Sequence, residues 1–250
     1  MDNSDLAKRM KSYESSYQFS LTPRMPIILR IDGCHFHTYT KKFDKPWDPA
    51  IRHGMIETSA ALVKQISGAE FAYTQSDEIS ILINTYKKFN TQPWFDSKLS
   101  KAVSVSASIA TAAFNKAIAE FILASGITLP KSPAIFDSRA FVVPREDVVN
   151  YFYWRELDCI RNSVSSLAQA NFSHKQLNNK SCKDMKLMLK EIGKNWDELP
   201  DWDKYGICLC RVVETSDSGA MRSKIYASSE TPIFSKDSLI IEKALEQEEK

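Results

Sequence analysis

Three acidic residues stand where chemistry could be done: Asp32, which closes the apolar run IILRIDG, and the adjacent pair Asp77 and Glu78 inside FAYTQSDEISILIN. Each follows a stretch that reads as buried strand. A tight hairpin between two such strands ordinarily takes Asn-Gly or Asp-Gly, so Ser-Asp-Glu needs another explanation. Carboxylates gathered at strand ends can hold a divalent cation. Mg²⁺ takes one or two carboxylates plus phosphate oxygens and water, and paired metals about 3.5–4 Å apart clamp the attacking and leaving oxygens in phosphoryl or nucleotidyl transfer. The backbone carbonyl of Gly33 would add a ligand, because a residue without Cβ lets a triphosphate come close. The competing readings are a solvated turn former at each aspartate, a nucleotide cyclase, or a calcium-tethered surface loop.

These acids need a sheet to position them. IILRIDG, residues 27–33, predicts a central strand. Residues 49–67 place Ile51, Met55, Leu62, Val63 and Ile66 near one face, with Pro49 at the first helical position, and predict a helix. FAYTQSDEISILIN predicts a hairpin of two strands, residues 97–124 a long small-residue helix suited to packing on a sheet, and residues 133–143 another strand. A short helix is expected over 4–15. The order β, α, β-hairpin, α, β makes an α+β protein: a mostly antiparallel sheet with two helices on one face, the split βαβ or ferredoxin-like plan. Asp32 and Asp77 would then face each other across one end of adjacent strands. From Arg145 onward the pattern becomes a helix at 145–171, a polar break HKQLNNKSC, a helix at 181–193, and β-like runs at 206–213 and 224–226 before a polar tail. The expected organisation is a catalytic domain over 1–144, with a helical and small β extension over 145–250 packed on it as one unit.

Composition narrows the class. Of 250 residues 43% are hydrophobic and 26% charged, with a formal net charge of +2, so neither a disordered chain nor a strongly basic nucleic-acid binder is indicated. The five cysteines are an odd number, and MDNSDLAKRM has no apolar signal region, which predicts a reducing, cytoplasmic setting. No run approaches the ~20 apolar residues of a spanning helix, so no membrane association is expected. Cys208 and Cys210 are spaced C-x-C without a matching second pair, which reads as two strand thiols facing the same way before it reads as zinc.

MPIILRIDGCHFHTYTKKFDKPWD together with FAYTQSDEISILI resembles the tRNA-His guanylyltransferase family and its tRNA-repairing relatives, the 3′-to-5′ polymerases. LAKRMKSYE, IFDSRAFVVP, YFYWRELDCIRNS and RSKIY extend the resemblance over roughly residues 5–230. The resemblance implies a catalytic domain similar to the palm of ordinary polymerases. It implies that Asp32 and Asp77 are metal carboxylates for two Mg²⁺ ions, that the Gly33 carbonyl completes a metal site, and that Glu78 either binds metal or orients what does. Arg30, Lys45 and Ser76 match positions that touch nucleotide phosphates, and His37 and Asp48 match positions near the bound purine. Lys98 and Lys101, at the head of the second helix, are candidates for further phosphate contacts. The implied substrates are tRNA, ATP and GTP or another nucleoside triphosphate, and the implied assembly is a homotetramer. In the implied reaction, ATP adenylylates a tRNA 5′-monophosphate, and the 3′-hydroxyl of an incoming triphosphate attacks the activated end.

One departure bears on the substrate. Eukaryotic members that add guanosine to tRNA-His carry His-Ile-Asn-Asn where this chain has Cys159-Ile160-Arg161-Asn162. The expectation therefore moves to templated repair of 5′-truncated tRNA, as in the bacterial and archaeal relatives, with dedicated guanosine addition and a non-catalytic RNA-binding module as the alternatives. Asp158, Arg161 and Asn162 are expected near the active site or the RNA, with structural pairing of Arg161 to an acid as the competing reading. Tyr151, Tyr153, Trp154 and Arg155 read as helix core plus a solvated arginine, with an RNA-facing role as the alternative.

Overall fold

A computed structural model describes residues 4–125, 130–215, 221–228 and 230–247. Ser4 accepts a hydrogen bond from the Ala7 amide and starts α1 (Asp5–Ser15). β1 (Ile27–Gly33) and the one-turn α2 (Phe36–Tyr39) follow. Asp48 caps α3 (Pro49–Gln65) by accepting from the Ala50 amide, and Pro49 fills the position where a missing N–H costs nothing. Next come β2 (Ala69–Gln75), β3 (Glu78–Ile83), the long α4 (Leu99–Ser125) and β4 (Phe136–Val142). The remainder carries α5 (Val148–Gln169), α6 (His174–Leu177), α7 (Cys182–Glu191), α8 (Asp201–Tyr205), β5 (Ile207–Thr215), β6 (Met221–Ala227) and α9 (Leu239–Ala244).

The strands form one sheet in the order β4-β1-β3-β2-β5-β6, antiparallel at every pairing. Its first four strands, with α3 and α4, are the expected split βαβ plan: β1 and β2 run the same way with β3 between them. β5 hydrogen-bonds to β2, so the late β-like runs extend the same sheet. Within the polar break, Ser173 and Gln176 form a capping box that gives α6 one helical turn. The tail, expected to be only polar, carries α9; residues 248–250 lie outside the described residues.

Alternation along the strands divides the core. Ile27, Leu29 and Ile31 of β1 and Ile79, Ile81 and Ile83 of β3 face α3 and α4, meeting Met55, Leu62, Phe114 and Ile118. Ile28, Phe71, Tyr73 and Leu82 face the other way, against Phe152 of α5 and Ile241 of α9. Each such side chain contributes about 1.5–3 kcal/mol on burial. Being covered on both faces is why β1 and β3 read as continuous apolar runs. α4 has the length and composition to cross a membrane, contrary to the sequence reading, yet its Ala110, Phe114, Ile118 and Ile122 are buried in the core shared with the sheet. A third cluster joins the end of α5 to α6 and α7 through Val164, Leu167, Leu177, Leu189 and Trp196.

Candidate active site

The strand registers place four polar side chains in one line across the sheet. Gln75 lies opposite Glu78, Glu78 opposite Asp32, and Asp32 opposite Asp137. By the two-residue period of a strand, this line shares the α5 face with Ile28 and Leu82. One step inward, Tyr73, Ser80, Arg30 and Arg139 form a parallel line.

Two residues, Ser76 and Asp77, join β2 to β3. Ser76 takes a φ of 51°, the left-handed value that the first central position of a tight hairpin demands. Its hydroxyl donates to Asp77 Oδ1 at 2.9 Å. The Gly33 amide donates to the Asp77 carbonyl oxygen at 3.1 Å, which ties the end of β1 to the turn and brings Asp32 and Asp77 together as expected. Burial lifts the Asp77 carboxyl above its ordinary value; the Ser76 hydroxyl opposes that rise and the Asp32 charge adds to it.

Both aspartates line a cleft of about 820 Å³ between the sheet end, α5 and the segment from α2 to α3. Gly33, His37, Lys45, Asp48, Ser76 and Asn162 line it too. His37 is exposed on α2, its Nε2 3.0 Å from Thr38 Oγ1. Lys45 Nζ donates to Thr40 Oγ1 at 3.3 Å. Asp48 accepts from the amides of Asp44 at 2.9 Å and Ala50 at 2.8 Å, so its carboxylate shapes the loop that carries Lys45. A Cβ on Gly33 would lie 2.2 Å from the Phe36 ring. The space that the sequence reading reserved for a triphosphate is filled by Phe36, which packs in turn on Tyr39, Phe114 and Phe136.

Other expected residues lie elsewhere. Lys98 and Lys101 do not line the cleft. β3 runs away from the site, so the head of α4 lies at the opposite end of the sheet: Thr111, a dozen residues into α4, is the one that bonds Phe136 beside Gly33. Arg30 sits one line in from Asp32, its Nε 3.9 Å from Glu78 Oε2. Asp158 accepts from Arg155 at 2.7 Å, from Asn162 at 3.3 Å and from the exposed Arg161, so Arg161 is engaged in the structural ion pair.

Glu78 is buried, and both its oxygens accept from Arg155: Nε to Oε1 at 2.6 Å and Nη2 to Oε2 at 2.9 Å. Burial raises the Glu78 carboxyl against the pull of Arg155 and Arg30. Arg155, which burial alone would lower, is raised by Glu78 and Asp158. The sequence reading of a solvated arginine is therefore corrected, because Arg155 is only 5% exposed. The signal was present: Val148, Tyr151, Phe152, Arg155 and Cys159 recur at helical spacing on the buried stripe of α5. Arg52 and Asp203, an ion pair on the cleft wall, were missed, and nothing local could have joined residues 151 positions apart.

Among the described residues no three His, Cys, Asp or Glu side chains are grouped so as to hold a metal by themselves. Asp32 and Asp77 provide the two carboxylates that suit Mg²⁺ when substrate phosphates and water supply the rest. Cys208 and Cys210 sit on one side of β5 as free thiols.

The chain resembles known proteins in sequence and in fold. The family model described as tRNAHis guanylyltransferase (Thg1) matches residues 7–144. A bacterial tRNA(His) guanylyltransferase-like protein solved with ATP has a TM-score of 0.86 at 45% identity, covering 96% of this chain and 99% of that one. A bacterial protein of the same description solved with GTP has a TM-score of 0.83 at 43% identity, over 97% and 99%. tRNA(His) guanylyltransferase 2 of Arabidopsis thaliana is 30% identical over 64% of this chain, which spans only 29% of that protein.

Proposed function

Because the chain belongs to the tRNA-His guanylyltransferase family, we propose that it is a 3′-5′ nucleotidyltransferase that restores missing nucleotides at the 5′ end of tRNA, directed by the opposing base. The observation that carries this reading is the pair Asp32 and Asp77, held together by the Gly33-to-Asp77 backbone bond at the wall of a cleft large enough for a nucleotide. Mg²⁺ held by these carboxylates with the Gly33 carbonyl would supply Lewis acidity for phosphoryl transfer.

This chain's own groups position the reactants. Lys45 and Ser76 meet phosphate oxygens and offset charge that builds on them. His37 stacks on or bonds the base, and Asp48 fixes the loop that presents Lys45. Glu78, with its oxygens given to Arg155, orients the hairpin instead of binding metal. The 5′-monophosphate first attacks the α-phosphorus of ATP and releases pyrophosphate, giving the adenylylated end; the 3′-hydroxyl of the incoming triphosphate then attacks the 5′-phosphate phosphorus of the RNA and displaces AMP.

Repair is favoured over dedicated guanosine addition by the Cys159-Ile160-Arg161-Asn162 segment. Cys159 is buried with its thiol 3.6 Å from the Lys204 carbonyl oxygen, and Arg161 is committed to Asp158. We place the enzyme in the cytoplasm, supported by its free thiols, and as a homotetramer. Leu6, Met10 and Tyr13 on α1 are 60%, 44% and 62% exposed and form a stripe suited to a subunit contact.

The deciding assay supplies tRNAs lacking their first nucleotide and differing in the opposing base, with ATP, Mg²⁺ and each labelled triphosphate. Incorporation should follow Watson–Crick pairing. Guanosine insertion whatever the opposing base would revive dedicated addition. RNA binding without any incorporation would leave a non-catalytic module, and cyclic nucleotide made without RNA would mean a cyclase.

A further inference from the structure

Residues 173–194 carry six lysines against two acids, Asp184 and Glu191, in a chain whose whole net charge is +2. The rest of the protein therefore carries a net charge of −2, and this segment supplies the net positive excess. Asp184 turns its carboxylate back to cap α7, accepting from the amide and hydroxyl of Ser181. Asp197 pairs with Lys186 and Lys190, and Lys186 also lies over the Trp196 ring at 3.3 Å. Lys175, Lys180, Lys183 and Lys194 are exposed and make no ion pair among the described residues.

This basic face adjoins the cleft. Ser166, Gln169 and Ala170 at the end of α5 line the cleft, and Ser173 caps α6 three residues later. Trp47, also on the cleft wall, packs on the cluster that seats α6 and α7. On the loop between α2 and α3, Lys41, Lys42 and Lys45 are exposed, and Lys45 reaches the cleft. Positive charge thus lies on both the α2–α3 loop and the α6–α7 face next to it, while Asp32 and Asp77 place negative charge inside.

We infer that the α6–α7 face, through Lys175, Lys180 and Lys183, docks the phosphate backbone of the RNA duplex whose 5′ end enters the cleft. The inference rests on the tRNA reading above and adds the surface that the reading lacks. A duplex with a phosphate at every nucleotide of both strands suits separate exposed lysines on short capped helices, since the contact is electrostatic and needs no base recognition. An acidic protein partner is disfavoured by the continuity with the cleft: whatever covers this face also meets the substrate's entrance.

The test is the full-length Lys175→Ala/Lys180→Ala/Lys183→Ala variant, with 5′-truncated tRNA as the probe. Filter binding from 50 to 200 mM salt should show Kd raised about 10- to 100-fold at low salt, and the log–log salt slope reduced by about two to three. The single-turnover rate at saturating tRNA should match wild type, and so should the thermal midpoint. An unchanged Kd overturns the proposal, as does wild type that fails to bind tRNA. A fall in the saturated rate without a change in Kd overturns it in favour of chemistry, and loss of oligomer in favour of a subunit contact. Lysine-dependent tRNA binding by a wild type that adds no nucleotide would sink the proposed activity and leave this surface standing.

Discussion

At the site end of the sheet, Asp32 and Asp77 present carboxylates to the cleft, whereas Glu78 has both oxygens gripped by Arg155 and Glu156 is buried on α5 with Oε2 unpartnered. Four acids, of which only Asp77 and Glu78 are neighbours in sequence, thus live in three environments. The turn releases Asp77 from strand alternation and puts it at the cleft. Glu78, the first residue of β3, is paired by the strand ladder and covered by α5. Proximity in sequence says little about which acid meets substrate; what covers each one decides.

The widest separation between the two groups should appear in activity. Asp32→Asn and Asp77→Asn should lower nucleotide addition at least about a thousandfold, roughly 4 kcal/mol of barrier, while thermal midpoints move only a few degrees. Glu78→Gln should lose stability along with rate. If the Glu78 variant kept full stability and lost only activity, the division drawn between the acids would be wrong.

Breaking the covered pair from its other side is the next largest effect. Arg155→Met leaves Glu78 buried without its partner and should cost about 3–5 kcal/mol in urea unfolding. Removing both charges in Arg155→Met/Glu78→Gln should recover part of that loss, since no carboxylate then remains uncompensated. Equal losses in the single and double variants would show that Arg155 acts by packing on Trp154, whose ring its guanidinium overlies at 4.4 Å, and not by holding Glu78.

Glu156 sharpens the comparison through pH. It is 0% exposed, among the described residues it accepts only from the Phe234 amide, at 3.3 Å, and burial pushes its carboxyl up to about 7 from an ordinary 4.5. The folded value lies above the unfolded one, so the native state binds more protons between them and stability falls as pH rises from about 4.5 to 7. Glu156→Gln has no proton to lose. Its advantage over wild type should be absent near pH 4, grow through that window, and level off at up to about 3 kcal/mol above pH 7. Parallel stability curves for the two proteins across pH 4–8 would refute this.

The first four strands were legible because β1 and β3 are apolar on both faces and two residues, Ser76 and Asp77, separate β2 from β3, whereas β5 and β6, which extend the sheet from the β2 edge, were read only as short β-like runs. The metal-type pair was legible for the same reason: strand ends next to each other put Asp32 beside Asp77. The cover was not. Arg52 with Asp203, and Glu78 with Arg155, join residues 151 and 77 positions apart, and their meeting depends on how α5 and α8 lie over the sheet. Lys98 and Lys101, candidates through the family resemblance alone, do not line the cleft, because β3 carries the chain to the far end of the sheet before α4 begins. Gly33 was read correctly as a place where Cβ is excluded, but the excluding group is the Phe36 ring.

The smallest expected effect tests Asp158, where a covered and an exposed arginine meet the same carboxylate. Arg155 reaches Asp158 from the buried side, and Arg161 from solvent with a side chain 65% exposed. The exposed partner is screened by water and salt and gives up side-chain freedom to hold its geometry. Arg161→Ala should therefore change stability by less than about 1 kcal/mol, and 0.5 M salt should erase the difference, whereas the loss in Arg155→Met should persist at that salt. Nucleotide addition should stay within about threefold of wild type, because Arg161 is already held by Asp158 and the cleft wall here is Asn162. A Kd for tRNA raised tenfold in Arg161→Ala would instead give this arginine to the RNA, and would make the break from His-Ile-Asn-Asn a matter of substrate contact instead of helix surface.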